Sequence, residues 1–176
     1  MIVAEKPNAA EKIASSLADT HPVKKALNKV PYYELTHKNK KIVVVCAVGH
    51  LFNLEEVEKK GWTYPVFKVE WQPSYKVSKS SAFTKAYIDL IAKQAKECSE
   101  FYVATDKDVE GELIGANILR FIINKKDGKR MEFSTLTKDE LIESFEKAKP
   151  HIDFPLFEAG ETRHFLDFYW GINLSR

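Results

Sequence analysis

Apolar and polar positions along the chain change period several times, and each change marks an element. The opening "MIVAE" is a short β-type run closed by Pro7. Asn8 with Glu11 reads as a capping box, and Ala10, Ile13, Ala14 and Leu17 follow at helical spacing. "YYELTH" and "KIVVVCAV" are strand-like runs joined by "KNKK", which reads as a hairpin with a buried second arm. "GWTYPVFKVEWQP" is aromatic and broken by prolines, consistent with irregular structure and one short strand. "SYKVSKSS" reads as a polar loop. Over 81–97, Phe83, Tyr87, Leu90 and Ile91 share a helical face, and "EFYVAT" is the next buried strand. Ile114, Ile118, Phe121 and Ile122 mark a further helix. "NKKDGKR" turns the chain into "MEFST", Thr137 with Glu140 reads as the cap of a helix bearing Leu141, Ile142 and Phe145, and 156–174 is helical with Phe165, Phe168, Tyr169 and Ile172 on one side.

Strands alternating with amphipathic helices predict an α/β fold, Rossmann-like, with a mostly parallel sheet and helices on both faces. Ligands of such sheets bind outside the carboxyl ends of the strands. Glu5 ends the first strand, Gly49 and His50 follow "VVVCAV", and Asp106 follows "FYVAT". Three strand ends therefore deliver chemistry to one rim.

Composition changes this picture little. A chain of 176 residues with 44% hydrophobic and 30% charged residues and a net charge of +2 is neither disordered nor strongly basic. Cys46 closes an apolar run and reads as a buried reduced thiol, and no CxxC or Cys/His spacing signals zinc. The start lacks the pattern of a signal peptide and the apolar runs are too short to span a bilayer, so a cytoplasmic location with no membrane contact is expected.

The chemistry concentrates in "ATDKDVEGELIG", residues 104–115. Asp106, Asp108 and Glu110 alternate across a strand-to-helix turn, and alternate side chains in extended backbone point the same way. Converged carboxylates repel unless a cation joins them, and oxygen donors suit Mg²⁺, which keeps several waters and accepts substrate phosphates. A solvated acidic helix start is the plain alternative.

"VAEKP", "GHL" and "ATDKDVEGE", together with the terminal "TRHFLDFYWGINLSR", resemble the Toprim module of type IA DNA topoisomerases, in the family's order and over nearly the whole chain. Lys6 after Glu5 is similar to archaeal and topoisomerase III-like members. The resemblance implies a Toprim domain over 1–150, with 151–176 starting a following helical domain. It implies Glu5 as proton donor and acceptor at the scissile phosphate, Lys6 as the cation on that phosphate, and Asp106, Asp108 and Glu110 as Mg²⁺ ligands. Glu112 reads as a helix-turn charge. His50 and Arg163 are implied at DNA, and Asp167 at DNA or a domain contact. The implied partners are single-stranded DNA and C-terminal domains of the same polypeptide, which supply the nucleophilic tyrosine, so this portion alone is expected to bind Mg²⁺ weakly and not to relax DNA. Lys107 and Val109 depart from the Pro and Arg usual within the acidic motif. A Toprim nuclease or primase, a phosphatase with a nucleophilic Asp, and a degenerate module that only binds nucleic acid are the alternatives. Reverse gyrase is a further possible parent. Lys38, Lys40, Lys41, Lys76 and Lys79 are candidate phosphate contacts or solvated faces, and Trp62, Tyr64, Phe67 and Trp71 are candidate stacking platforms or core beneath a loop.

Overall fold

A computed structural model of the chain describes all residues except 58–61 and 63. In chain order the elements are β1 (Ile2–Ala4), α1 (Pro7–Leu17), β2 (Val23–Leu27), β3 (Val30–His37), β4 (Lys40–Cys46), β5 (Phe52–Glu56), β6 (Val69–Pro73), α2 (Ser74–Val77), α3 (Thr84–Ala95), β7 (Tyr102–Ala104), α4 (Val109–Ile118), β8 (Lys129–Arg130), α5 (Lys138–Glu146) and α6 (Phe154–Leu174). One sheet has the order β2-β3-β4-β1-β7-β8, and β5 pairs with β6 in a second. The β4-β1-β7-β8 pairs are parallel, whereas β2-β3-β4 is an antiparallel meander. The expected α/β architecture with a mostly parallel central sheet is therefore present.

Period-2 alternation sorts the central strands between two cores. Ile2, Ala4, Val44, Cys46 and Ala104 face a core closed by Ile13 and Leu17 of α1 and Leu141 of α5. Val3, Val45 and Val103 face the opposite core, closed by Leu90 and Ile91 of α3 and Ile114 and Ile118 of α4. Strands buried on both faces need unbroken apolar runs, which is why "IVA" and "IVVVC" contain no charge. Cys46 is buried and unbridged as expected, and burial pushes its thiol up to about 11.

Several local expectations are corrected. The β3–β4 hairpin forms, but its turn is Lys38-Asn39, both left-handed. β2 was not anticipated, because "VKKAL" is an exposed edge strand without apolar alternation. Helix α1 begins at Pro7, so Asn8 lies inside it and caps nothing; the rigid φ of proline starts the helix instead. Thr137 takes the cap position of α5 without a side-chain bond. Glu140 instead accepts the backbone N–H of Thr135 at 3.0 Å. Residues 74–77, expected as loop, form a helical turn. In the aromatic stretch, β6 is the expected short strand, and residues 61 and 63 lie outside the described residues. No described helix is long and apolar enough to cross a membrane.

Candidate active site and acidic loop

Strands β4, β1 and β7 lie side by side and run the same way, so the segments after them meet at one edge. Glu5 leaves β1 and its Oε2 accepts the backbone N–H of Asp106 at 3.2 Å. Lys6 Nζ donates to Asp106 Oδ2 at 2.9 Å and lies 3.2 Å from Glu5 Oε1. The hydrogen bond to the Asp106 carboxylate, then that to Glu5, raises the Lys6 pKa and keeps it cationic. Glu5, Lys6 and Asp106 are thus brought together as the sequence suggested.

The acidic loop is anchored from beneath by a residue that sequence reasoning missed. Arg130, on β8, is fully buried and donates to the carbonyls of Thr105 (2.9 Å), Asp106 (2.9 Å), Met131 (2.7 Å) and Val103 (3.3 Å). Its Nε donates to Glu112 Oε2 at 2.7 Å, with both side chains only 1% exposed. Glu112 Oε1 accepts the backbone N–H of Asp153 at 2.8 Å. Glu112 is therefore a buried structural carboxylate, not the helix-turn charge expected. A solvated site in the first turn would have been favourable enough; the buried guanidinium on β8 is what draws it inward.

The three implied metal ligands have different partners. Asp106 faces Lys6. Asp108 caps α4, its Oδ1 accepting the N–H of Gly111 at 2.7 Å. Gly111 permits this tight turn: a Cβ there would stand 2.2 Å from the Asp106 carbonyl oxygen. Glu110 Oε2 is hydrogen-bonded by Nε2 of His50 at 2.8 Å and of His164 at 2.9 Å. Burial works against the charged carboxylate, but the bonds from His164 and His50 outweigh it and hold the Glu110 pKa below the usual value. Burial likewise lowers the His50 pKa, against the pull of Glu110. Lys107 pairs with Glu132 at 3.2 Å.

Helix α6 reaches the site. Gly160 packs so closely on α4 that a Cβ would lie 2.5 Å from the Val109 carbonyl oxygen, which sets His164, one turn later, over Glu110. Arg163 Nη1 is 3.4 Å from Glu110 Oε1 and its Nε is 3.6 Å from Asp167. His50 and Arg163 therefore join the site through Glu110, while Asp167 touches it only through Arg163. Lys40 and Lys41 open β4 and so lie at the opposite end of the sheet, and Lys38 pairs with Glu146. Trp62, Tyr64 and Phe67 are exposed rather than core, and Trp71 is half-buried against His164 and Phe165.

The oxygen donors of Asp106, Asp108 and Glu110 at the end of a parallel strand suit a hard divalent ion, and Toprim topoisomerases use a divalent metal. Over its whole length the chain is 48% identical to DNA topoisomerase 1 of Methanocaldococcus jannaschii, of which it covers 23%, and 44% identical to that of Pyrococcus horikoshii, of which it covers 26%. DNA topoisomerase 3 of Staphylococcus haemolyticus is 34% identical, with 24% of it covered. The chain thus spans about a quarter of the length of these relatives. Full-length topoisomerase I of Thermotoga maritima superposes with a TM-score of 0.62 at 24% identity, over 94% of this chain and 23% of that one, a likeness of fold. Residues 1–136 match the Toprim domain, and with the strand-end acidic loop in place the chain belongs to the Toprim family.

Proposed function

We propose that this chain is the Toprim part of a type IA DNA topoisomerase and supplies the proton-transfer and Mg²⁺-binding half of its active site. The observation that carries this is the junction of Glu5, Lys6 and Asp106 at adjacent parallel strand ends, at the foot of the acidic loop. A tyrosine from outside this chain attacks the phosphorus of one DNA strand and the 3′ oxygen leaves. Glu5 gives that oxygen its proton and takes it back when the strand is resealed. Lys6, held cationic, offsets charge on the scissile phosphate. Asp106 and Asp108 would hold Mg²⁺, with Glu110 as the third carboxylate. The ion would supply charge stabilisation for phosphoryl transfer.

Arg163 is the candidate for a DNA phosphate, His50 orients Glu110, and Asp167 orients Arg163. The exposed rings of Trp62, Tyr64 and Phe67 suit stacking on unpaired bases. Residues 1–150 would form the Toprim unit and 151–176 the start of the next domain, whose exposed Leu166, Trp170 and Leu174 would meet C-terminal domains of the same polypeptide. The reading carries a cytoplasmic location with it.

Two measurements test this. In the full-length enzyme, Glu5→Gln is expected to lower oligonucleotide cleavage by roughly 10²–10⁴-fold with substrate binding retained. In this chain, Asp108→Ala is expected to weaken Mg²⁺ binding. Unchanged Mg²⁺ affinity would instead identify a module that only binds nucleic acid, and metal-dependent nicking without a covalent protein–DNA adduct would identify a nuclease. The chain alone should not relax supercoiled plasmid.

A further inference from the structure

Two imidazoles and one carboxylate from three separate elements converge beside the acidic loop. His50 comes from the loop after β4, Glu110 from the first turn of α4 and His164 from the middle of α6. Their ligand atoms lie within 4.8 Å of one another, and all three side chains are partly shielded from solvent. We propose that His50, Glu110 and His164 form a site for a borderline transition-metal ion such as Zn²⁺, distinct from the Mg²⁺ ligand set and sharing only Glu110 with it.

Donor chemistry separates the two sites. Imidazole nitrogen suits Zn²⁺, Co²⁺, Ni²⁺ and Cu²⁺, whereas Mg²⁺ takes carboxylate, carbonyl and water oxygens. Two histidines and one glutamate leave an open coordination position for water. Tetrahedral donors about 2.0–2.1 Å from zinc stand roughly 3.3 Å apart. The two nitrogens are already 2.8 and 2.9 Å from the same Glu110 oxygen, so small side-chain rotations open the cage.

The ligands are also held from behind. The His50 carbonyl accepts from Ser74 Oγ at 3.0 Å, and the Ser74 hydroxyl in turn accepts from Asn53 Nδ2 at 2.9 Å. His164 is fixed by the close approach of Gly160 to α4 and lies against the Trp71 ring, whose Nε1 donates to Glu161 at 3.1 Å. Arg163 faces Glu110 Oε1, leaving Oε2 for the ion and orienting the carboxylate as outer partners of metal ligands do. An ion here withdraws Glu110 from the acidic loop and leaves Asp106 and Asp108 as the remaining carboxylates for Mg²⁺.

Co²⁺ titration of the untagged 176-residue chain, read by visible d–d absorption, tests the site. Bands saturating at one equivalent, erased by stoichiometric Zn²⁺ and not by millimolar Mg²⁺, are expected. His50→Ala and His164→Ala should each weaken binding at least about tenfold. Asp106→Ala should leave it unchanged, which separates this site from the Mg²⁺ set. His164→Cys keeps a donor and should restore the bands with an added thiolate charge-transfer band, so that loss through misfolding is told apart from loss of a ligand. No bands at millimolar Co²⁺, bands unaffected in both histidine variants, or bands lost equally in Asp106→Ala would overturn the assignment.

Discussion

Removing Arg130 is the most informative single perturbation of this fold. Its guanidinium and the Glu112 carboxylate are each 1% exposed and 2.7 Å apart. A buried pair is weak evidence of net stabilisation, yet deleting one partner costs about 3–5 kcal/mol, because the other charge stays buried and uncompensated. In Arg130→Met, Glu112 keeps only the N–H of Asp153, and the carbonyls of Thr105, Asp106 and Met131 lose the Arg130 donor, while that of Val103 keeps the N–H of Met131. The expected cost is therefore at the upper part of that range. For a chain of this size it corresponds to roughly 10–20 °C in melting temperature. Glu112→Gln retains shape and one acceptor and should cost about 1–3 kcal/mol. Arg130→Met combined with Glu112→Leu removes both charges, so it should be more stable than Arg130→Met alone. Urea unfolding followed by far-ultraviolet circular dichroism measures all three. The reasoning fails if Arg130→Met costs under about 1 kcal/mol, the level of an exposed pair, or if the double variant is no more stable than Arg130→Met alone.

Two further outcomes follow from the loop and its surroundings. Gly111→Ala drives a methyl against backbone, the Asp106 carbonyl oxygen at 2.2 Å, so no side-chain rotation relieves it. It should cost about 1–3 kcal/mol in unfolding free energy and weaken Mg²⁺ binding by displacing Asp106; unchanged stability and affinity would contradict the geometry. Glu132 is bonded by Lys149 at 2.7 Å and Lys107 at 3.2 Å, and the Lys149 bond leads in holding its pKa below 4.5. A depressed carboxyl stabilises the fold above its unfolded value and loses that contribution as pH falls through the native one. Glu132→Gln should thus be less stable than the parent at neutral pH, by under about 1 kcal/mol given the exposed lysines. The gap should close below pH 4.5; a gap independent of pH would remove the pair from the account.

The central layers were legible because burial on both faces writes itself as unbroken apolar runs, as in "IVVVC", and the rim with Glu5, His50 and Asp106 followed from strand direction alone. Lys6 was legible only through the family resemblance, since an exposed lysine carries no pattern of its own. β2 left no trace because an exposed edge strand needs no apolar period. Arg130 was hidden in the basic run "KKDGKR", where a buried cation looks like a solvated one until its partner is known. His164 lies within the terminal stretch that carried the resemblance, but no role was read there: its role depends on the close approach of α6 to α4 at Gly160. For the same reason the sequence showed no zinc-like spacing, since His50, Glu110 and His164 are neighbours only after folding.

The departures at Lys107 and Val109 raised the question of what orients an acidic motif that lacks its usual arginine. The orientation comes from other elements. Arg130 holds the Thr105 and Asp106 carbonyls from below, Asp108 and Gly111 close the turn, and Lys107 is drawn outward to Glu132. Position 109 meets α6 through its carbonyl at Gly160, so the side chain there is free to be apolar. Positive charge for Glu110 arrives from α6 instead, through Arg163. The family match ends at residue 136, yet the third carboxylate is held by residues 163 and 164. A unit cut at the end of that match would lack Arg163 and His164 and leave Glu110 with His50 as its remaining partner among these groups.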